Sequence, residues 1–414
     1  MATNASQKPE LLAKAAELHG RIITFDSHVD IPLNFGSPGH EPDRDGPTKF
    51  NLPKVARGRL SGASLVVTAA AARPTPENLA RLRNDQETRF RLITGLAEAF
   101  PTRFGLARSP DEFRKLVRER KFAIVLSFQN ASALAPQPES IDPWITRGVQ
   151  MLAFTFIGNN PWADSARPYP FVAAGNKWNG LSPLGRAAVG RLNDLGIIVD
   201  VSQLSAAALD DVLATSRAPI VASHSALSAF VDTGRNLGDA DLAKIKSRGG
   251  LVQIVGFAPY LLAPDAAMME ELRATWRRYG LPAPQTVGAA LSVDDEETAD
   301  WPEDKFWTFL HEFHDVLKLD RPVAGLNRYG EVMDYAVERI GVDHVGIASD
   351  FNHSGGLADW MDVGQNLAVT AELLGRGHDE PSVAKIWGEN FLRVWQDVQD
   401  AGALKIAAMQ RPLR

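Results

Sequence analysis

His28, Asp30, His224 and Asp350 are the residues of this chain best suited to chemistry, because each closes an apolar run. The segment Arg21-Ile22-Ile23-Thr24-Phe25-Asp26-Ser27-His28-Val29-Asp30 turns from β-branched to polar within a few residues. Residues i and i+2 of an extended chain share a face, so His28 and Asp30 project together. An imidazole nitrogen and a carboxylate oxygen that converge in this way are good ligands for a divalent metal. Alone, such a pair serves equally well to cap a loop and open a turn. Ser223-His224-Ser225 and Ser349-Asp350-Phe351 follow two further apolar runs. Together these groups describe a metal site with a carboxylate poised to move protons. Gln129 and Gln203 close two more runs and bring amides to the same end. With no cysteine in the chain, thiolate ligands, disulfides and cysteine nucleophiles are excluded, and any metal must be held by His, Asp, Glu or amide oxygen.

The elements that must position these residues are short buried strands. Apolar runs occupy residues 21–25, 63–68, 122–128, 151–156, 196–201, 219–223, 250–255 and 344–349, each of a length expected for strands buried on both faces. Helical patterns lie between them at 76–98, 183–195, 205–216, 239–247, 330–340 and 381–399, with Ser205 and Asp239 as expected N-caps. Strand alternating with helix eight times predicts an α/β fold, a (β/α)8 TIM barrel with an insertion late in the barrel, whose chemistry sits at the C-terminal strand ends. The expected organisation is an N-terminal helix at 1–20, one barrel domain at 21–400 interrupted by an insertion at 258–327, and a tail at 401–414. Trp144, Trp387 and Trp395 read as core, and Trp162 as packing under the loop after 151–156. Asp294 to Glu297 read as a solvated face, His311 and His314 as a surface pair on a helix, and His353 as a loop histidine beside Gly355-Gly356.

Several longer motifs make the chain resemble the membrane (renal) dipeptidases. These are Asn160-Pro161-Trp162-Ala163-Asp164, Gly180-Leu181-Ser182-Pro183-Leu184-Gly185 with Leu192-Asn193-Asp194-Leu195-Gly196, and Arg217-Ala218-Pro219-Ile220 leading into Ser223-His224-Ser225. Arg235-Asn236, Val345-Gly346-Ile347-Ala348-Ser349-Asp350-Phe351 and Gly388-Glu389-Asn390-Phe391-Leu392-Arg393-Val394 complete the set. The similarity covers residues 21 to 398 except 258–327. The resemblance implies a (β/α)8 barrel with a two-zinc site that hydrolyses dipeptides, including those with a D-residue in second place. It implies that His28 and Asp30 bind one metal, that His224 belongs to the second, that Asp350 handles the proton and that Arg235 holds the substrate carboxylate. Phe156 and Asn160 fall at substrate-contacting positions, and a homodimer is implied.

Three positions depart from the family pattern. Its bridging carboxylate falls at Gln129, the histidine after the fifth strand at Gln203, and the substrate-contacting histidine at Phe156. Two divalent ions about 3.5–4 Å apart repel strongly without an anionic bridge, and a neutral amide supplies none. The expectation is therefore a dipeptidase-like hydrolase of a dipeptide or similar small amide with one zinc rather than two. That ion is held by His28, Asp30, His224 and Asp350, with Gln129 or water, since a second metal would keep only His224 and a weak amide from Gln203. The alternatives are a metal-free acid–base site for an isomerisation, tautomerisation or elimination, and an inactive scaffold.

Composition sets the outer bounds. The chain has 414 residues, 45% hydrophobic and 23% charged, with net charge −6. These are globular values, and the mild acidity lacks the basic patch a nucleic acid demands. No stretch has the length and apolarity of a membrane span. No signal peptide stands at the N-terminus, so a soluble, cytoplasmic chain is expected as given, periplasmic or secreted if a leader has been removed.

Overall fold

The computed structural model describes residues 6, 8–173 and 175–409, with side chains as far as residue 403. Nine strands run through it: β1 Phe25–Asp30, β2 Gly62–Val67, β3 Phe104–Leu106, β4 Phe122–Gln129, β5 Val149–Ala153, β6 Ile198–Val199, β7 Val221–Ser225, β8 Leu251–Val255 and β9 Val345–Ala348. All pairings between them are parallel, in the orders β1-β2-β4-β5-β6 and β7-β8-β9, with the short β3 added beside β4. Single parallel bridges, Asp200 to Val221 and Val29 to Phe351, join the two ladders at both edges. The strand order therefore traces a circuit from β1 round to β9 and back. Almost every strand residue is buried, as expected of strands with helices outside and packed side chains inside.

The helices begin where sequence chemistry tells them to. Thr75, Ser109, Ser182 and Ser205 each accept a backbone N–H from the first turn, and Pro76, Pro110 and Pro183 follow at the first helical position. The helix Asp239–Ser247 differs from expectation: its N-cap is Gly238, whose N–H is taken by the Asp241 carboxylate at 3.1 Å.

The first strand lies further along than the apolar run 21–25 suggests. The helix Pro9–His19 is prolonged by turn hydrogen bonds from Gly20, Arg21 and Ile22 back to Glu17 and Leu18, and pairing with β2 starts only at Phe25. His28 and Asp30 are thus inside β1, beside a break in its register with β2. At the other end, the expected tail is helical as far as Met409, and residues 410–414 lie outside the described residues, as do 1–5 and 7 of the expected N-terminal helix.

The region 258–327 forms its own layer. Its helices Ala266–Arg278 and Glu303–Val316 build a separate apolar cluster around Trp276, Trp301, Phe306, Phe309 and Phe313, which also takes in Phe156, Tyr169 and Phe171. Phe171 stacks on Phe306 at 4.0 Å, and Arg73 lies over the Phe171 ring at 4.1 Å while donating to the carbonyls of Ala299 and Trp301. Asp295, read as part of a solvated face, accepts from Trp276 Nε1 at 3.0 Å. Among the described residues no helix is long and apolar enough to cross a membrane.

Candidate active site

His28, Asp30 and Asp350 meet at the C-terminal end of the strands, where each offers one ligand atom within 4.8 Å of the others. His28 Nε2 lies 3.8 Å from Asp350 Oδ1. The backbone at Asp350 is left-handed, with φ of 57°, a conformation that costs a non-glycine residue energy and is found most often where function demands it. Gly355 permits it: its N–H donates to the Asp350 carbonyl at 2.9 Å, and a Cβ there would sit 1.9 Å from the Ser349 carbonyl oxygen. Gly355 is therefore a support for Asp350.

The electrostatics separate the two carboxylates. Burial pushes the Asp350 pKa up, so it holds a proton more readily than an ordinary aspartate. Asp30 is equally enclosed, and burial alone would raise its pKa too. His353, His28 and Arg89 outweigh that and leave it lowered. His353, on a loop and partly exposed, also pairs with the cluster, its Nδ1 standing 3.2 Å from Asp30 Oδ2. Asp30 Oδ1 is buried and makes no hydrogen bond. Orphaned carboxylate oxygens of this kind are what a missing cation would satisfy.

His224 is placed differently. Its ring stacks on that of His28 with centroids 3.8 Å apart. Ser223 Oγ donates to Asp200 Oδ2 at 2.5 Å, so it must accept from His224 Nδ1–H at 2.7 Å. His224 Nε2 is then a bare acceptor, and it faces the Gln203 Nε2 amide at 2.9 Å and Gln129 Nε2 at 3.4 Å. Each amide has its oxygen engaged on the side away from His224. Gln203 Oε1 accepts from Arg167 Nη2 at 3.3 Å and Gln129 Oε1 accepts from Thr68 Oγ1 at 3.1 Å. Burial, followed by the charges of His28, Arg235 and Arg167, drives the His224 pKa well down, which keeps this imidazole neutral.

A fit to metals follows from the donor set. His28, Asp30 and Asp350 supply one nitrogen and two anionic oxygens with an unsatisfied atom among them, and fit a single divalent ion. A second ion would have His224 and two amides already committed to other partners, with the Arg167 cation alongside, and these residues do not fit it. His224, Gln129 and Gln203, expected as metal ligands, lie together as a hydrogen-bonded group beside the carboxylate cluster.

A cavity of about 30 Å³ opens over this group, lined by Phe156, Arg167, Arg235, Tyr260 and His353 as well as by the histidines and glutamines. That volume holds about one water, so a substrate enters only as its walls move. Arg235 is 3% exposed and donates to Ser225 Oγ at 3.0 Å and to the His224 carbonyl. Phe156 meets His353 edge-on at 5.3 Å. Asn160 is not on this wall. Its Nδ2 donates to the Phe154 carbonyl and its Oδ1 accepts from Trp162 and Ala163, so it shapes the loop and does not face a substrate. Trp162 packs beneath that loop as expected, stacked on Phe154. His314, read as half of a surface pair, is turned inward enough that burial, then the nearby charges of Arg167 and His353, lower its pKa to about 4.

Sequence reading missed Arg167, Thr68 and Tyr260; Asp200 stands at the end of a strand run and is found by that rule, whereas Arg167 lies mid-loop with no local signal.

This site belongs to a recognisable lineage. Over 95% of this chain and 100% of the other, the fold superposes on the crystal structure of the probable dipeptidase PvdM from Pseudomonas aeruginosa with a TM-score of 0.91 and 45% identity. The chain is 25% identical over 409 residues to the dipeptidase verJ of Clonostachys rogersoniana, covering 94% of this chain and 87% of that protein. It is 28% identical over 316 residues to the dipeptidase tcpJ of Claviceps purpurea, covering 75% of this chain but only 59% of that protein. The parallel α/β architecture with its carboxylate–histidine cluster, and a match to the family profile across residues 12–407, show that the chain belongs to the membrane dipeptidases, peptidase family M19.

Proposed function

We propose that this protein hydrolyses a small amide of the dipeptide class with one divalent ion, zinc being the family's usual metal, held by His28, Asp30 and Asp350. The observation that carries the reading is the convergence of those three ligand atoms within 4.8 Å on the floor of a cavity that Arg235 also lines, in a chain of dipeptidase descent. A divalent ion held there supplies polarisation of a carbonyl and a water more acidic than bulk. Asp350, at the edge of the cavity, accepts the proton of the attacking water and returns it to the departing nitrogen. Arg235 clamps the substrate carboxylate. Phe156 and Tyr260 close the cavity and exclude water.

Asp350→Asn tests the assignment. It removes the proton carrier while keeping the side-chain shape, and hydrolysis of a dipeptide panel should fall by about 10²- to 10⁴-fold with the fold unchanged by circular dichroism. Undiminished hydrolysis would overturn the role of Asp350.

One observation favours a second reading. The His224 nitrogen that family members give to a metal is capped here by an amide N–H, as in a site that moves protons without metal. Activity that persists at full rate after exhaustive chelation would establish it. The homodimer implied by family resemblance is carried as part of the proposal, and sedimentation equilibrium decides it.

A further inference from the structure

Two guanidinium groups share this small cavity, and every hydrogen-bond acceptor they meet is neutral. Arg235 donates to the Ser225 hydroxyl and the His224 carbonyl. Arg167 donates to the Gln203 amide oxygen and lies 5.2 Å over the Phe156 ring. The Nε of each is buried without a hydrogen-bond partner. The carboxylate on the cavity wall is Asp350, with Asp30 in the same cluster.

Charge counting then constrains the ligand. A divalent ion and the two carboxylates that hold it sum to zero; Asp200 lies near enough for its charge to act on Arg235, while among the described residues the only side-chain hydrogen bond of Arg167 goes to a neutral amide. Two enclosed like charges are costly unless a ligand pairs with both. A free dipeptide supplies one carboxylate and one ammonium, and its ammonium would find no unspent carboxylate while sitting in the field of two cations.

We propose that Arg167 receives a second anionic group of the substrate, at the end not held by Arg235. The preferred substrates are then small amides with a carboxylate at each end and no free ammonium on the acyl half. This preference rests on the single-metal reading of the site. Arg167 is suited to receive an anion because it is held only by one long hydrogen bond and a ring face. It can exchange Gln203 for a carboxylate as the cavity opens.

Calorimetric titration of the zinc-loaded full chain tests this with the ketomethylene isosteres of N-succinylalanine and of its amide N-succinamoylalanine, which lack the scissile amide and differ from each other by one carboxylate. The wild type should bind the succinyl compound about ten- to hundredfold more tightly, the range of one hydrogen bond to a charged group. Arg167→Met should abolish that preference, and Arg167→Lys should restore part of it. Equal affinities in the wild type, no binding of either compound, or a preference that survives Arg167→Met would overturn the proposal. Because the isosteres cannot turn over, a preference that depends on Arg167 in a protein that hydrolyses neither parent amide would count against the hydrolase reading and leave the anion receptor standing.

Discussion

Replacing a carboxylate by an amide at position 129 removes a negative charge from a buried site, and replacing an imidazole at 203 removes a strong nitrogen donor. Arg167 then fixes the Gln203 oxygen away from His224. Both replacements and this contact act in one direction, against a second cation. Reversing two of them should reverse the effect: Gln129→Glu combined with Gln203→His is expected to raise bound zinc from about one to about two ions per chain, the number a carboxylate-bridged pair requires. Unchanged zinc content in a folded double variant would show that these amides are not what limits the site. At this scale the sequence was informative wherever chemistry followed a strand. His28, Asp30 and Asp350 could be read from their positions, whereas Arg167 could not, because its role depends on how the loop from Asn159 to Tyr169 folds back over β6. The same holds for His353, which became a partner of Asp30 only through the left-handed turn at Asp350.

At the scale of elements, two contacts decide how the site is enclosed and how the barrel ends are sealed. The insertion is fastened to the loop after β5 by Phe171 on Phe306. Phe306→Ala removes a fully buried ring, at a cost of about 3–5 kcal/mol. The loss should fall on the insertion: amide exchange in Ala266–Arg278 and Glu303–Val316 should accelerate while β4 stays protected. Uniform acceleration throughout the chain would mean that the insertion and barrel form one cooperative unit. The helix Pro9–His19 is sealed by His19, which is buried against Trp387 and bonded to Thr370 Oγ1 at 2.6 Å. Burial lowers its pKa to about 4. The unfolded chain, with an ordinary pKa near 6.5, binds a proton that the folded chain refuses. Stability is therefore complete above pH 6.5 and lost as pH falls toward 4. Relative to His19→Gln, which cannot titrate, the wild type should lose on the order of 2–3 kcal/mol between pH 7.5 and 4.5 in urea unfolding. A difference independent of pH would refute it. The strand boundaries show why elements are harder to read than residues. The run 21–25 is apolar because it packs under a helix end, and only the tertiary contact with β2 reveals that pairing begins at Phe25.

At the scale of the whole molecule, a circuit of parallel strands brings residues from β1, β4, β7 and the turn after β9 to one end, although they are far apart in sequence. The alternation of strand and helix made this legible in advance, because buried parallel strands need apolar residues on both faces and leave polar groups only at their ends. The insertion was legible only as an interruption. Its aromatic cluster and its hold on Phe156 come from contacts that no local pattern encodes. Everything proposed for the chemistry depends on one cation at His28, Asp30 and Asp350. The most direct test is the zinc content of the chain after loading and exhaustive dialysis, measured by mass spectrometry beside a His28→Ala/Asp30→Ala variant. The expected result is about one ion per wild-type chain, set by its single cluster of three ligands, and almost none in the variant. Two ions in the wild type, or none, or an equal content in both proteins, would contradict it.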